Sequence, residues 1–142
     1  MFIYGIAVLG FLAALVAFFA SKSDVITFDD LRGIASEKKA TAIVIAVLMF
    51  SMIGLPPFAG FFGKYYLFYQ AVQQGEILLA AIGVLTSVVA AFYYLKVIRY
   101  MYFMEPEGEF AVQSTSNGLW LVMVLSMLFT MGLFIFLPTY IL

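Results

Sequence analysis

The reading turns on Gly54-Leu55-Pro56-Pro57-Phe58-Ala59-Gly60-Phe61-Phe62-Gly63-Lys64-Tyr65-Tyr66-Leu67-Phe68. Lys64 is the only Asp, Glu, Lys or Arg between Lys39 and Glu76. A lysine at the centre of an apolar membrane helix costs about 2.5–3.5 kcal/mol on insertion scales, so such a residue faces the protein interior and marks an ion or proton path. Pro57 lacks a backbone N–H, and Pro56 pushes Leu55 away from helical angles. With Gly54 they predict an unwound link inside a longer apolar segment. A broken membrane helix with a charge just past the break is a transporter feature.

Composition supports the membrane reading. The chain has 142 residues, 65% of them hydrophobic and 11% charged, against about 25% charged in a soluble domain. It has no His, the side chain most used for proton exchange near neutral pH and for metal ligation. It has no Cys, which excludes disulfides, thiolate nucleophiles and iron–sulfur ligation on this chain. A net charge of −1 without a basic tract gives no support for nucleic-acid binding. No nucleophile–base pair, phosphate loop or metal cluster is legible, so no catalytic residues are expected.

The expected fold is all-α: a single membrane domain over residues 1–142, a polytopic bundle of about four membrane segments. They are placed at 2–20, 40–72 (broken at 54–57), 76–102 and 119–137, each long enough to span a bilayer. The broken segment yields half-helices at 40–53 and 58–72. Its freed carbonyls predict a link that is buried in protein or lines a wet cavity. Between the first two segments lies a polar connector with Lys22, Asp24, Asp29, Asp30, Arg32, Glu37, Lys38 and Lys39. Its stretch Phe28-Asp29-Asp30-Leu31-Arg32-Gly33-Ile34 suits a short interfacial helix, with Asp29, Asp30 and Arg32 as a surface ion-pair set or a contact with a neighbouring subunit. Glu105, Glu107 and Glu109 form an acidic loop. The apolar opening of the chain predicts a C-terminal piece of a longer polypeptide. Basic residues cluster on the connector and at Lys96 and Arg99, which puts that side in the cytoplasm and both termini outside. Lys64 then lies roughly 15 Å from the outer end of its span, near the midplane.

Lys64 is the candidate proton-transfer residue, because an ammonium moved into a low-dielectric site releases its proton more readily. Carbonyls near Ser51 to Gly54, at the end of the upstream half-helix, are placed to hold a cation or a water chain. Tyr65 and Tyr66 offer hydroxyls beside the path. Thr86 and Lys96 are further path candidates. For the proline link, Lys64, Lys96 and Thr86 there is a plainer reading. Pro56-Pro57 is a loop joining two separate short helices that re-enter the membrane. Lys64 snorkels outward, although its stem reaches only about 6 Å. Lys96 and Arg99 snorkel within an aromatic belt of Tyr93, Tyr94, Tyr100 and Tyr102. Thr86 and Ser87 bond back to helix carbonyls.

Met52 to Phe68 resembles the discontinuous helix of the antiporter-like membrane subunits of respiratory complex I. Ile82 to Arg99, followed by Met101-Tyr102-Phe103, is similar to the next helix of those subunits, most closely of the N type. The connector Phe28 to Ile34 is similar as well. The resemblance implies a proton-pumping subunit of NADH-quinone oxidoreductase built from two inverted helix repeats, of which this chain matches the last helices. It implies that Lys64 takes the place of the family's lysine on the second broken helix. The M type carries a glutamate there, and the lateral helix of the L type has no counterpart after Leu137. The glutamate and two lysines of the family's first repeat have no counterpart in this chain. The resemblance implies no cofactor here, with NADH, FMN, iron–sulfur clusters and quinone in partner subunits. Implied partners are the other membrane subunits of complex I, neighbouring antiporter-like subunits above all, and lipid. The implied location is a bacterial inner membrane or an organellar one. The alternatives are a subunit of a multi-subunit sodium/proton antiporter or of a membrane-bound hydrogenase, and, more weakly, a purely scaffolding fragment.

Overall fold

The structure is a computed structural model and describes residues 2–19, 27–106 and 116–141. Lys22, Asp24, Glu107 and Glu109 lie outside the described residues. Among the described residues six helices follow in order: α1 Phe2–Phe19, α2 Ile34–Glu37, α3 Lys39–Ile53, α4 Ala59–Gln73, α5 Ile77–Phe103 and α6 Asn117–Ile141, with a 3-10 turn Asp29–Leu31 before α2. Among the described residues there is no strand. By length and composition, α5 is long and apolar enough to cross a membrane, while the apolar stretches of the other helices, Tyr4–Ala17, Lys39–Ile53 and Asn117–Gly132, are shorter.

The centre of the bundle is α3. Its residues are apolar all round, and such a helix is stable only when neighbours cover every side. It packs against α1, α2, α4, α5 and α6, and Ile45, Leu48 and Met49 are buried. On α1 the small residues Ala7, Gly10, Ala14 and Ala17 recur every three or four positions and are all buried. This spacing lines them up on one face. Small residues let helix backbones approach closely, a main source of helix association in lipid. A Cβ at Gly10 would stand 2.6 Å from Cβ of Ser126 on α6 and 3.0 Å from Cδ1 of Leu48 on α3. Gly10→Ala is therefore expected to push α1 off its neighbours, costing about 1–3 kcal/mol by overpacking. Gly5→Ala meets no atom within 4 Å and should be silent. Thermal unfolding of the two variants in detergent checks the contrast.

The connector locks onto the last turns of α5. The Gly33 amide donates to the Tyr100 carbonyl at 3.2 Å, the Phe28 ring lies 5.7 Å from that of Tyr100, and the Arg32 guanidinium stands 5.8 Å from the Tyr100 ring. Arg32 Nε also pairs with Asp29 Oδ1 at 3.0 Å. In place of one interfacial helix, Phe28 to Ile34 forms the 3-10 turn and then a left-handed Gly33 with φ 68°. The turn at Gly33 is what aims the connector at α5. Because the start of α3 sits beside the end of α5, the two helices run antiparallel. At 1.5 Å per residue α3 climbs about 21 Å while α5 spans about 40 Å, so α3 ends near the mid-height of α5.

The outside of the bundle is oily. Leu78, Leu85, Phe92 and Phe103 of α5 are all more than 60% exposed. A water-facing surface rarely carries so continuous an apolar face, whereas a bilayer accepts it.

Candidate functional site

The site is the junction of α3 and α4. Helix α3 stops at Gly54, which adopts φ 85°, a left-handed angle that glycine takes without the steric cost of a Cβ. The Gly54 amide donates to the Phe50 and Ser51 carbonyls at 3.1 Å, and the Leu55 amide to that of Phe50 at 3.2 Å. Pro56 and Pro57, joined by a cis peptide, cannot donate to the remaining two carbonyls. Lys64 does so instead: its Nζ donates to the Met52 oxygen at 2.9 Å and to that of Ile53 at 3.0 Å. All of the last four carbonyls of α3, normally orphaned at a helix end, thus have partners. The ammonium also sits at the negative end of the helix dipole.

Three local features bring Lys64 there. Phe58 is extended, with φ −81° and ψ 151°, and its ring stacks on that of Phe50 at 6.3 Å, which brings the first turn of α4 against the last turn of α3. Gly60 then rests directly on the Ser51 carbonyl, in a space that a Cβ would occupy. Lys64 is one turn after Gly60 on the same face, and helical side chains lean toward the N-terminus. Its stem therefore runs back over Gly60 toward the end of α3. A Cβ at Gly54 would come within 3.1 Å of the Lys64 Cδ, so that glycine also makes room for the stem. The link is not enclosed within this chain: Leu55, Pro56 and Pro57 are exposed.

The other candidates fall elsewhere. Tyr65 is exposed and stacks with Phe61 and Tyr69 at 6.2 and 6.1 Å. Tyr66 meets the Tyr65 ring edge-on at 5.9 Å and is also exposed. Both belong to an aromatic ladder on the outer side of α4, while the bonds of Lys64 go to α3. Thr86 Oγ1 bonds back to the Gly83 carbonyl at 3.0 Å, as does Ser87 Oγ at 2.8 Å. Lys96 Nζ lies 4.7 Å from the centre of the Phe28 ring and 5.9 Å from that of Tyr100. Such contacts hold a cation at an aromatic face, so Lys96 is engaged with the connector. The structure thus joins Lys64 to Gly54, Pro56 and Pro57 and leaves Tyr65, Tyr66, Thr86 and Lys96 outside that junction.

Two features escaped sequence reasoning. Ser51 is 1% exposed and its hydroxyl has no partner. The Tyr4 and Tyr94 hydroxyls bond at 2.9 Å between α1 and α5. Neither carries a sequence signal, since both depend on which helices become neighbours. Among the described residues no cluster of His, Cys, Asp or Glu is placed to hold a metal ion.

The family described as NADH:quinone oxidoreductase/Mrp antiporter, TM, matches residues 1–90. NADH-quinone oxidoreductase subunit N of Rickettsia bellii is 54% identical over 105 residues, covering 74% of this chain and 23% of that protein. NADH-quinone oxidoreductase subunit N 1 of Acidiphilium cryptum is 44% identical over 137 residues, covering 96% of this chain and 28% of that protein. Respiratory complex I from Thermus thermophilus, solved with bound aureothin, contains a chain that superposes with a TM-score of 0.71 at 28% identity, over 92% of this chain and 31% of that one. The chain thus spans roughly a quarter of the length of the curated relatives it matches. By the match over residues 1–90, the chain belongs to the NADH:quinone oxidoreductase/Mrp antiporter transmembrane family.

Proposed function

We propose that this chain forms the C-terminal part of an N-type antiporter-like subunit of respiratory complex I, in which Lys64 passes protons toward the outer side of the membrane. On this reading α3 and α4 are the halves of one discontinuous span, and α1, α5 and α6 are the other spans. The names of the relatives support the assembly. The observation that carries the role of Lys64 is its double tether to the Met52 and Ile53 carbonyls.

The tether suits proton exchange for a simple reason. An ammonium has three N–H donors, and two are engaged here. A neutral amine keeps two N–H bonds and gains a lone pair. Lys64 can therefore lose its third proton and regain it without leaving either carbonyl. The exchange point stays at the end of α3, near the mid-height of α5. On the described helices packed against α4, no Asp, Glu, Lys or Arg stands between the two ends of the bundle to neutralise it.

Basic residues orient the chain. Arg32, Lys38 and Lys39 on the connector and Lys96 and Arg99 on α5 share one end, which the positive-inside rule places in the cytoplasm. Oxidation of NADH and reduction of quinone belong to partner subunits that carry FMN and iron–sulfur clusters. The neighbours on the exposed apolar faces are other membrane subunits and lipid.

The test is the ratio of protons pumped to NADH oxidised in membranes that carry the assembled complex. Lys64→Met should abolish pumping in whatever complex still assembles, and wild-type pumping per assembled complex in that variant overturns the proposal. The family also takes in Mrp antiporters. Sodium-dependent proton movement without NADH would transfer the chain to that branch.

A further inference from the structure

The last turn of α3 holds a polar atom that the proton path above does not use. Ser51 Oγ is buried without a hydrogen bond, an arrangement that weakens a fold unless something is gained by it. A helical serine usually bonds back to a carbonyl of the preceding turn, as Ser87 does on α5. Ser51 does not.

What Ser51 faces is set by Gly60. A Cβ at Gly60 would lie 3.2 Å from Ser51 Oγ, so the hydroxyl points into the seam between α3 and α4. Gly60 and Lys64 share one face of α4, a turn apart. The carbonyls that hold Lys64 belong to Met52 and Ile53, the two residues after Ser51. The unpartnered hydroxyl and the two carbonyls that hold Lys64 thus belong to the same last turn of α3, where α4 overlaps it. A hydroxyl has one donor and two acceptor sites, and its hydrogen rotates to suit its partner. A buried water is held where two or more polar groups converge.

We propose that Ser51 is a positioning residue for the Lys64 proton, acting through a water held in the α3–α4 seam. With Lys64 charged, its third N–H donates to the water and the water donates to Ser51 Oγ. With Lys64 neutral, the hydroxyl rotates, donates to the water, and the water donates to the nitrogen lone pair. No bond of Ser51 is broken in either state. This inference rests on the proton-transfer reading of Lys64.

Few other groups compete for this role. The helices packed on α4 are α1, α3, α5 and α6. Over their described length their charged residues are Lys39, at the start of α3, and Lys96 and Arg99, near the end of α5. Their tyrosines with described side chains are Tyr4 and Tyr94, bonded to each other, the exposed Tyr93, and Tyr100 and Tyr102 in the last turn of α5. Tyr65, Tyr66 and Tyr69 of α4 itself are exposed. A displaced pH profile of pumping in a Ser51 variant would thus report on Lys64.

The experiment measures pumping against pH in the assembled complex, wild type against Ser51→Ala. Hydrogen bonds to charged groups are the stronger ones, so losing the hydroxyl disfavours charged Lys64 more than the neutral amine. The alkaline limb of the profile should move to lower pH by about one unit, with pumping on that limb down roughly tenfold. An unchanged profile overturns the proposal, and so does a uniform loss at every pH, which is what a packing role would give. Assembly should be at least as good as in the wild type, because an unpaired buried polar atom is removed. Should Ser51→Ala not assemble, Ser51→Thr keeps the hydroxyl and carries the test: a wild-type profile is expected there, and a displaced one overturns the proposal. If Lys64→Met pumps normally, the reading of Lys64 falls and this inference with it. If Lys64→Met is dead while Ser51→Ala matches the wild type, only the role of Ser51 falls.

Discussion

Lys64→Arg is expected to keep the complex assembled and to lose proton pumping by about 10² or more. The reasoning separates two jobs that the wild-type lysine does together. One is to cap α3 by supplying N–H donors to Met52 and Ile53. Arginine has five donors and a permanent charge, so it can serve both carbonyls and the negative end of the helix dipole. The other job is to release a proton, and a guanidinium does not do so in a protein. A lysine that only caps would thus be replaced by arginine without loss of pumping. Lys64→Met removes both jobs and leaves two carbonyls unpaired, each costing about 1–3 kcal/mol. That variant should show weaker assembly as well as lost pumping. Vesicle pumping assays beside native gels distinguish the three proteins, and normal pumping in Lys64→Arg would reduce Lys64 to a helix cap.

The second large effect concerns Gly60. In Gly60→Ala the new methyl is driven into the carbonyl of Ser51. That carbonyl is backbone, fixed by the Gly54 amide at 3.1 Å, and cannot swing aside as a flexible side chain would. Overpacking costs about 1–3 kcal/mol when neighbours can adjust, and this case belongs at or above the top of that range. The half-helices should separate, the Lys64 bonds should lengthen, and assembled complex should fall several-fold. Gly63→Ala is the internal control. It lies three residues on along the same helix and meets nothing within 4 Å, so its effect should stay within about 0.5 kcal/mol. Equal losses in the two variants would show that the Gly60–Ser51 contact does not set the position of α4.

How much of this was legible beforehand depends on the range of each interaction. Gly54, Pro56 and Pro57 act on their own backbone angles and donors, so the interruption between Ile53 and Ala59 can be read from a few residues. The resemblance to the complex I subunits was also legible, carried by Met52 to Phe68 and Ile82 to Arg99. Tyr65 and Tyr66 show where such reading stops. A ladder of Phe61, Tyr65 and Tyr69 looks the same in sequence whether it turns inward or outward. The contact of Gly60 with Ser51 decides the matter by rotating Lys64 toward α3 and the tyrosines away. Lys96 is a similar case. Its place in an aromatic belt was readable from Tyr93, Tyr94, Tyr100 and Tyr102, but its closest ring, Phe28, comes from the connector. No local pattern reports that Gly33 ties the connector to Tyr100.

By itself, then, the sequence determined an apolar helical chain with one charge placed just after a break. Helix formation, helix breaking and the cost of a charge in an apolar setting are properties of single residues and their near neighbours. Only the tertiary structure decided what that charge holds. The overlap of the first turn of α4 with the last turn of α3 depends on the close approach at Gly60 and on the stacking of Phe50 with Phe58, contacts that exist only after the chain has turned. From that packing follow the capture of Lys64 by the Met52 and Ile53 carbonyls and the burial of Ser51 in the same seam.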